Sequence, residues 1–329
     1  MSGHNVPVIT VRVACPADLV PAVEERLRSD TEVSSLVIHR GACVEPPGDV
    51  FEADLPREIA NLVVDDLMTL GVQERGTIQL LPVTTWISRP ALEAEERAPG
   101  DSNDAVVWTD VIERAYDESR LTWTYASFMI LATLLAAIAI VTDSVILVIG
   151  AMVLGPEFVA IAALGVGLVR RRFNLFGQAA RTLVLGFTLS IAVTAAMAAV
   201  ARAAGLIAYD QLLTSARPGT SFIFTPNWWS FTVAVIAGAA GVLALTSARS
   251  GGLVGVFISV TTIPASGNIA LALVFGVWHE VWGSLATLVI NIIGMAIAGW
   301  LTLLVQQAVW GGVRRRSTAR RGPQRPAHR

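Results

Sequence analysis

One acidic side chain in this sequence stands where an acid is expensive. Glu157 closes the stretch Ile149-Gly150-Ala151-Met152-Val153-Leu154-Gly155-Pro156-Glu157, inside an apolar run from Ser144 to Val169. A carboxylate near the centre of a bilayer costs about 2.5–3.5 kcal/mol even on the lenient insertion scale, so it must face a cavity or a partner. That makes Glu157 a candidate proton or cation site. Gly155 and Pro156 precede it. Proline inside a helix removes a hydrogen bond and clashes with the preceding turn, and a neighbouring glycine loosens the backbone further. A second apolar run holds a counterpart, Thr261-Thr262-Ile263-Pro264-Ala265-Ser266-Gly267-Asn268. Pro264, Ser266 and Asn268 there, with Asn291 in the last apolar run, are the candidate companions of Glu157. Two interrupted helices also expose free N–H groups at their restarts, which can hold an anion. The plain alternatives are a packing kink, a carboxyl bonded to a freed carbonyl, and asparagines that glue helices together.

Other chemistry finds little support. No HExxH, no Ser–His arrangement and no paired carboxylates occur at membrane depth, so no enzyme is expected and no cofactor. Cys15 and Cys43 lack CxxC spacing, which argues against zinc and against a disulfide framework; both read as small buried apolar residues. His279-Glu280 reads as exposed and isolated, so no metal site is expected. Gly165-x-Gly167 reads as a small-residue face, and Gly251 with Gly255 as close helix packing.

The elements that must hold these residues follow from hydropathy. The chain has 329 residues, 53% hydrophobic and 15% charged, too apolar for an ordinary soluble domain. Residues 1–120 hold 22 of the 26 acids against 10 arginines; residues 121–307 hold seven arginines and only Asp143, Glu157, Asp210 and Glu280; residues 308–329 hold seven arginines and no acid. No lysine occurs. A crossing helix needs about 20 mostly apolar residues. Six spans are expected, at 123–141, 144–169, 179–201, 229–247, 251–278 and 281–307, within a transmembrane domain of residues 122–308. Arginine-rich short loops stay in the cytoplasm. Arg170, Arg171, Arg172 and Arg181, then Arg249, then Arg314, Arg315 and Arg316 all fall on one side when both termini are cytoplasmic. Trp228, Trp229, Trp278 and Trp282 then mark the outer interface, Trp123 and Trp310 the inner one. The reading is a multi-pass protein of the plasma (cell) membrane, in the bacterial inner membrane. Pro156 and Pro264 each fall in the second helix of a three-helix half, a candidate 3+3 inverted repeat with broken helices 2 and 5, the design by which secondary transporters build a midplane site.

Residues 1–85 read as an α+β domain, six short elements in the order βαββαβ: strands at 8–13, 33–39, 50–53 and 76–83, helices at 17–29 and 56–70. That order is the ferredoxin-like arrangement. A linker and amphipathic helix occupy 86–121, and a basic cytoplasmic tail runs from 309 to 329, an anchor for anionic lipid rather than nucleic acid. The first 30 residues lack a basic start before an apolar core, so no cleaved signal peptide is expected.

At the membrane motifs the sequence resembles a known family, the uncharacterised hydrophobic-domain membrane family called domain of unknown function 389. The resemblance rests on Val148-Ile149-Gly150-Ala151-Met152 with Gly155-Pro156-Glu157, and on Thr246-Ser247-Ala248-Arg249-Ser250 with Leu253-Val254-Gly255-Val256 and Ile258-Ser259-Val260. Ile263-Pro264 and the region of Asn291 complete it, over about residues 120–307. Where many relatives show a double proline at the second break, this chain has Ile263-Pro264. The resemblance implies the architecture and no agreed activity. Partners expected are the lipid bilayer, a small-molecule or ion ligand and, from Gly- and Ala-rich faces, further copies of the chain as a homo-oligomer. The function expected is a transporter or channel-like permease for a small polar or anionic solute, regulated by the N-terminal domain. The alternative is a membrane-anchored sensor that binds a cytosolic metabolite or nucleotide.

Overall fold

The computed structural model describes residues 8–83, 87–98, 105–207, 219–225, 228–246 and 261–320, with side chains as far as 309. Contacts divide the chain into two compact units. One comprises 1–111 with 246–249 and 306–329, the other 112–245 with 250–305.

The first unit is built on a four-stranded antiparallel sheet of β1 (Val8–Pro16), β2 (Ser35–Cys43), β3 (Gly48–Pro56) and β4 (Thr77–Val83), in the order β2-β3-β1-β4. Val11, Val13 and Cys15 alternate along β1 and are fully buried, the two-residue period of a strand with one face on the core. α1 (Val20–Arg28) contributes Val23 and Leu27 to that core, and α2 (Arg57–Thr69) contributes Ile59, Val63 and Leu67. The spacing of these side chains is that of an amphipathic helix. Gly71, at φ +78°, ends that run before a four-residue helix, α3 (Val72–Arg75). β1, β2 and β3 are longer than the sequence pattern predicts because backbone pairing continues past the strongly apolar positions, while β4 falls within one residue of the expected strand. The linker is not featureless. α4 (Arg89–Arg97) starts at Ser88, whose hydroxyl accepts the Ala91 N–H, and buries Ala91 and Ala94. Asn61 then fixes the approach to α5 (Trp108–Glu118): its side chain donates to Val106 O and accepts from Trp108 N.

The second unit is helical. α6 (Trp123–Val141) begins at Thr122, whose Oγ1 accepts from Tyr125 N at 3.1 Å. Asp143, at φ +46°, turns the chain back, and its carboxylate accepts hydrogen bonds from Gly219 N and from the Thr220 hydroxyl. α7 (Val145–Leu154) and α8 (Glu157–Val169) follow, then α9 (Phe173–Ala203), α10 (Trp228–Thr246), α11 (Thr262–Phe275) and α12 (Trp278–Arg320). α6, α9, α10 and α12 are long and apolar enough to cross a membrane; α7 and α8 qualify together as one span bent by 52°. The helices therefore mark the chain as a multi-pass membrane protein.

Three expectations are modified. The fifth span was expected over 251–278, but its first half lies outside the described residues, and the described helix of 14 residues ends at Phe275, where Gly276 adopts φ +74°. Pro264 consequently sits in the first turn of α11, where its missing N–H costs nothing, rather than in mid-helix. The last span runs on without a stop through the arginine cluster to Arg320. The loop that carries Arg217 and the segment with Gly251 and Gly255 lie outside the described residues.

Candidate functional site: the Glu157 junction

α7 ends at Leu154, Gly155 is extended, and Pro156 delivers the chain into α8, whose first residue is Glu157. The interruption expected at Gly155-Pro156 is therefore present. Glu157 is 4% exposed. The Thr262 hydroxyl donates to its Oε1 at 2.7 Å, and Thr262 is the first residue of α11. Two helix starts thus meet at one carboxylate, and each start carries a partial positive charge that offsets the negative one. The junction is tight because Gly155 has no side chain. A Cβ there would meet Glu157 Oε2 and Ile263 Cγ1, both closer than atoms tolerate.

α11 distributes the rest of the polar chemistry. Twelve of its 14 residues are buried, and its polar side chains reach three different helices. Thr262 reaches Glu157 of α8. Ser266 Oγ donates to Ile263 O and lies 3.2 Å from Thr133 Oγ1 of α6. Asn268 Nδ2 donates to Glu280 Oε2 at 3.1 Å and to Ser284 Oγ at 2.9 Å, both on α12. One residue before the helix, Thr261 Oγ1 accepts from Asn291 Nδ2. Gly267 lets α11 lie directly on α6, since a Cβ would come within 2.9 Å of Ala136 Cβ and 3.0 Å of Ala137 N.

The candidate residues therefore separate. Gly155, Pro156, Glu157 and Asn291 gather around the adjacent threonines Thr261 and Thr262, while Pro264 shapes the first turn of the helix that presents them. Ser266 bonds toward α6. Asn268 belongs to a second cluster with Glu280 and Ser284. His279-Glu280 is not the exposed pair expected: Glu280 is 3% exposed and bonded to Asn268, because the first turn of α12 folds back against α11 after the short Gly276-Val277 turn. The threonine pair was overlooked as a partner for Glu157, although Thr261-Thr262, separated from Pro264 by Ile263 alone, was the available signal. Tyr125 was overlooked too. Its buried hydroxyl has no hydrogen-bond partner among the described residues and feels the Glu157 charge. Glu157 Oε2, Asn268 Oδ1 and Asn291 Oδ1 likewise have none. Among the described residues no group of three or more His, Cys, Asp or Glu side chains is placed to hold a metal ion.

Residues 152–297 match the family described as Domain of unknown function (DUF389). That match lies within the apolar part of the chain. The matched stretch carries Gly155-Pro156, Ile263-Pro264 and all of the junction except Tyr125 and Thr133. An uncharacterized protein of Methanocaldococcus jannaschii is 24% identical over 238 residues, which is 72% of this chain and 69% of that protein. No solved structure matches.

Proposed function

We propose that this protein, similar to the DUF389 family over residues 152–297, is a transporter or channel-like permease for a small polar solute, with Glu157 in its solute or coupling site. One observation carries the reading: a carboxylate buried at a helix break, bonded to the start of a second helix and retaining an oxygen that no described donor reaches. Discontinuous helices that meet near the membrane midplane are the usual way a transporter builds such a site. Gly155 and Pro156 make the break, Pro264 and Ser266 shape and tether the facing helix, Asn291 fixes Thr261, and Asn268 orders the second cluster. The bent α7–α8 pair and the short α11 occupy corresponding places in two three-helix halves, so we read six spans in an inverted repeat. The antiparallel order β2-β3-β1-β4, with two helices supplying one side of the core, supports a ferredoxin-like N-terminal domain, which we assign a regulatory role. Both termini are placed in the cytoplasm by the arginine distribution. Exposed Trp123, Trp228, Trp229, Trp278 and Trp282 suit interfacial belts of a plasma membrane. We place the domain boundaries at 85, 121 and 308, and expect the Gly- and Ala-rich faces to support a homo-oligomer.

The test is flux. Full-length protein in liposomes should move a small solute, and Glu157→Gln should reduce the initial rate at least tenfold; equal rates for both proteins across all solutes would overturn the proposal. A sensor role has one observation in its favour, an open groove of about 490 Å³ in the first unit lined by Leu27, Val33, Leu36, Ile38, Arg28 and Arg40. Both arginines already hold carboxylates, Glu24 for Arg28 and Glu24 with Asp49 for Arg40, so an anionic metabolite would have to displace them. Stabilisation of the full chain by nucleotides, lost in Arg40→Ala, would move the balance to the sensor.

A further inference from the structure

Hydrogen-bond bookkeeping at the junction says what kind of ligand it suits. Asn291 Nδ2 gives one of its two protons to Thr261, and Asn268 Nδ2 gives both of its protons, to Glu280 and Ser284. Thr262 has committed its single proton to Glu157. Of the atoms left without a described partner here, Glu157 Oε2, Asn291 Oδ1 and Asn268 Oδ1 can accept, and the Tyr125 hydroxyl can both donate and accept; all are on residues between 1% and 6% exposed. A buried acceptor without a donor costs free energy that a ligand bringing positive charge or a proton recovers. The charge balance points the same way. Within described residues 112–245 and 261–305, the buried charged side chains are Glu157 and Glu280, both acidic. The two helix starts that would otherwise attract an anion already face a carboxylate belonging to the chain. The last turn of α7 adds carbonyl oxygens that have no helical partner, because its helix stops at Gly155. Hard cations take carboxylate, amide and carbonyl oxygens of this kind.

We infer that the Glu157 junction binds a monovalent cation, a proton or an alkali ion, and not an anion. The inference rests on reading Glu157 as a ligand site and supplies its chemical class. The cation sits against Glu157 Oε2, and the unpartnered Asn291 Oδ1 and Tyr125 hydroxyl are the further oxygens offered to it. The charged and titratable groups on the surrounding helices are few. Tyr125 on α6 feels Glu157 directly. Glu280 on α12 is bonded to Asn268 further along α11. On α9, Arg181 is exposed, and Arg202 is held at Val274 O, its guanidinium 4.9 Å from the Phe275 ring centre. α7, α10 and α11 contain no charged residue.

The experiment is thermal unfolding of the purified full-length protein in detergent, followed by tryptophan fluorescence, which needs no transport. Three series are compared: sodium or lithium against choline at fixed chloride, phosphate, sulfate or nitrate against chloride at fixed sodium, and pH 5 to 8 in choline chloride. An alkali ion that binds should raise the unfolding temperature by about 3–6 °C at saturation, with no rise in Glu157→Gln. A proton site should give instead a pH-dependent shift in choline that Glu157→Gln abolishes. Where Glu157→Gln does not fold, Asn291→Ala keeps the carboxylate and should move the midpoint of either response about tenfold. A response that follows the anion overturns the inference. So does a cation or pH response unchanged in both variants, and so does no response to any series. If flux is absent while the cation response is present, the transport reading fails and this one stands; flux without any cation or pH response has the opposite meaning.

Discussion

The Thr262 hydroxyl lies 2.7 Å from Glu157 Oε1, joining the first turns of two helices 105 residues apart in the chain. Among the described residues it is the one hydrogen bond from another side chain to this carboxylate, and Thr262 is itself fully buried. Nothing else described in α11 substitutes for it, since Ser266 and Asn268 are bonded elsewhere.

Thr262→Val keeps shape and removes the donor. A buried hydrogen bond to a charged group contributes about 1.5–3 kcal/mol, so the melting temperature in detergent should fall by roughly 3–8 °C. Glu157→Gln lessens what the donor is needed for. In a double-mutant cycle the two changes should therefore couple by at least about 0.5 kcal/mol. Strict additivity would mean that the two side chains do not meet.

Close approach of α11 and α6 gives a separate handle. Gly267→Ala puts a methyl group 2.9 Å from Ala136 Cβ and 3.0 Å from a backbone nitrogen that cannot rotate away. Overpacking of this kind costs about 1–3 kcal/mol, and Gly267→Val should cost more than Gly267→Ala. Thr182→Ala, a buried change on α9 that creates no clash, sets the comparison. Equal melting temperatures for wild type and Gly267→Val would show that α11 does not lie on α6 in this way.

How much of this was legible in the sequence depends on the range of the signal. The break at Gly155-Pro156 is local: proline chemistry and the cost of Glu157 in lipid are written within three residues. Hydropathy placed α6 and α10 to within one position and found α9 and α12, because a membrane enforces length, but it ended the last helix at 307 where the structure carries it on to Arg320. Strand identities in the first unit followed from alternation in β1, whereas α4 went unread because a short, highly charged helix shows its purpose only through what Ala91 and Ala94 cover. Burial of Glu280 was not legible. Sequence places it beside a tryptophan and a histidine at a span edge, and only the fold of α12 against α11 supplies Asn268 and Ser284. The partnership of Glu157 with Thr262 is likewise tertiary, since nothing near either residue names the other.

The two cysteines should behave differently. Cys15 is fully buried on β1 and Cys43 partly exposed on β2, with β3 between them. Burial, then the charge of Asp49, push the Cys15 thiol up to about 11. At pH 8 roughly one Cys15 in a thousand is then the reactive thiolate. A maleimide reagent should modify Cys43 in the native protein within minutes and Cys15 only on unfolding; mass spectrometry of tryptic peptides reads both. Equal labelling would contradict the register that pairs Cys15 with Asp49.

Asp49 itself gives the first unit a defined acid sensitivity. Its carboxylate accepts from Gly41 N at 2.8 Å and from Arg40 Nη1 at 2.7 Å, and these bonds, Gly41 first, hold it below the ordinary carboxylate value. A group lowered on folding contributes stability above its unfolded value, near about 4, and loses it as pH falls through the folded one. Asp49→Asn should therefore melt lower than wild type at pH 5–7 by a constant margin. That margin should shrink below about pH 4, as wild-type Asp49 begins to take up a proton. The same substitution removes a charge that raises the Cys15 thiol, so Cys15 should be labelled faster in Asp49→Asn than in wild type at equal denaturant. Both effects come from one carboxylate at the β1–β3 pairing, and a margin that grew on acidification would place the stabilising charge elsewhere.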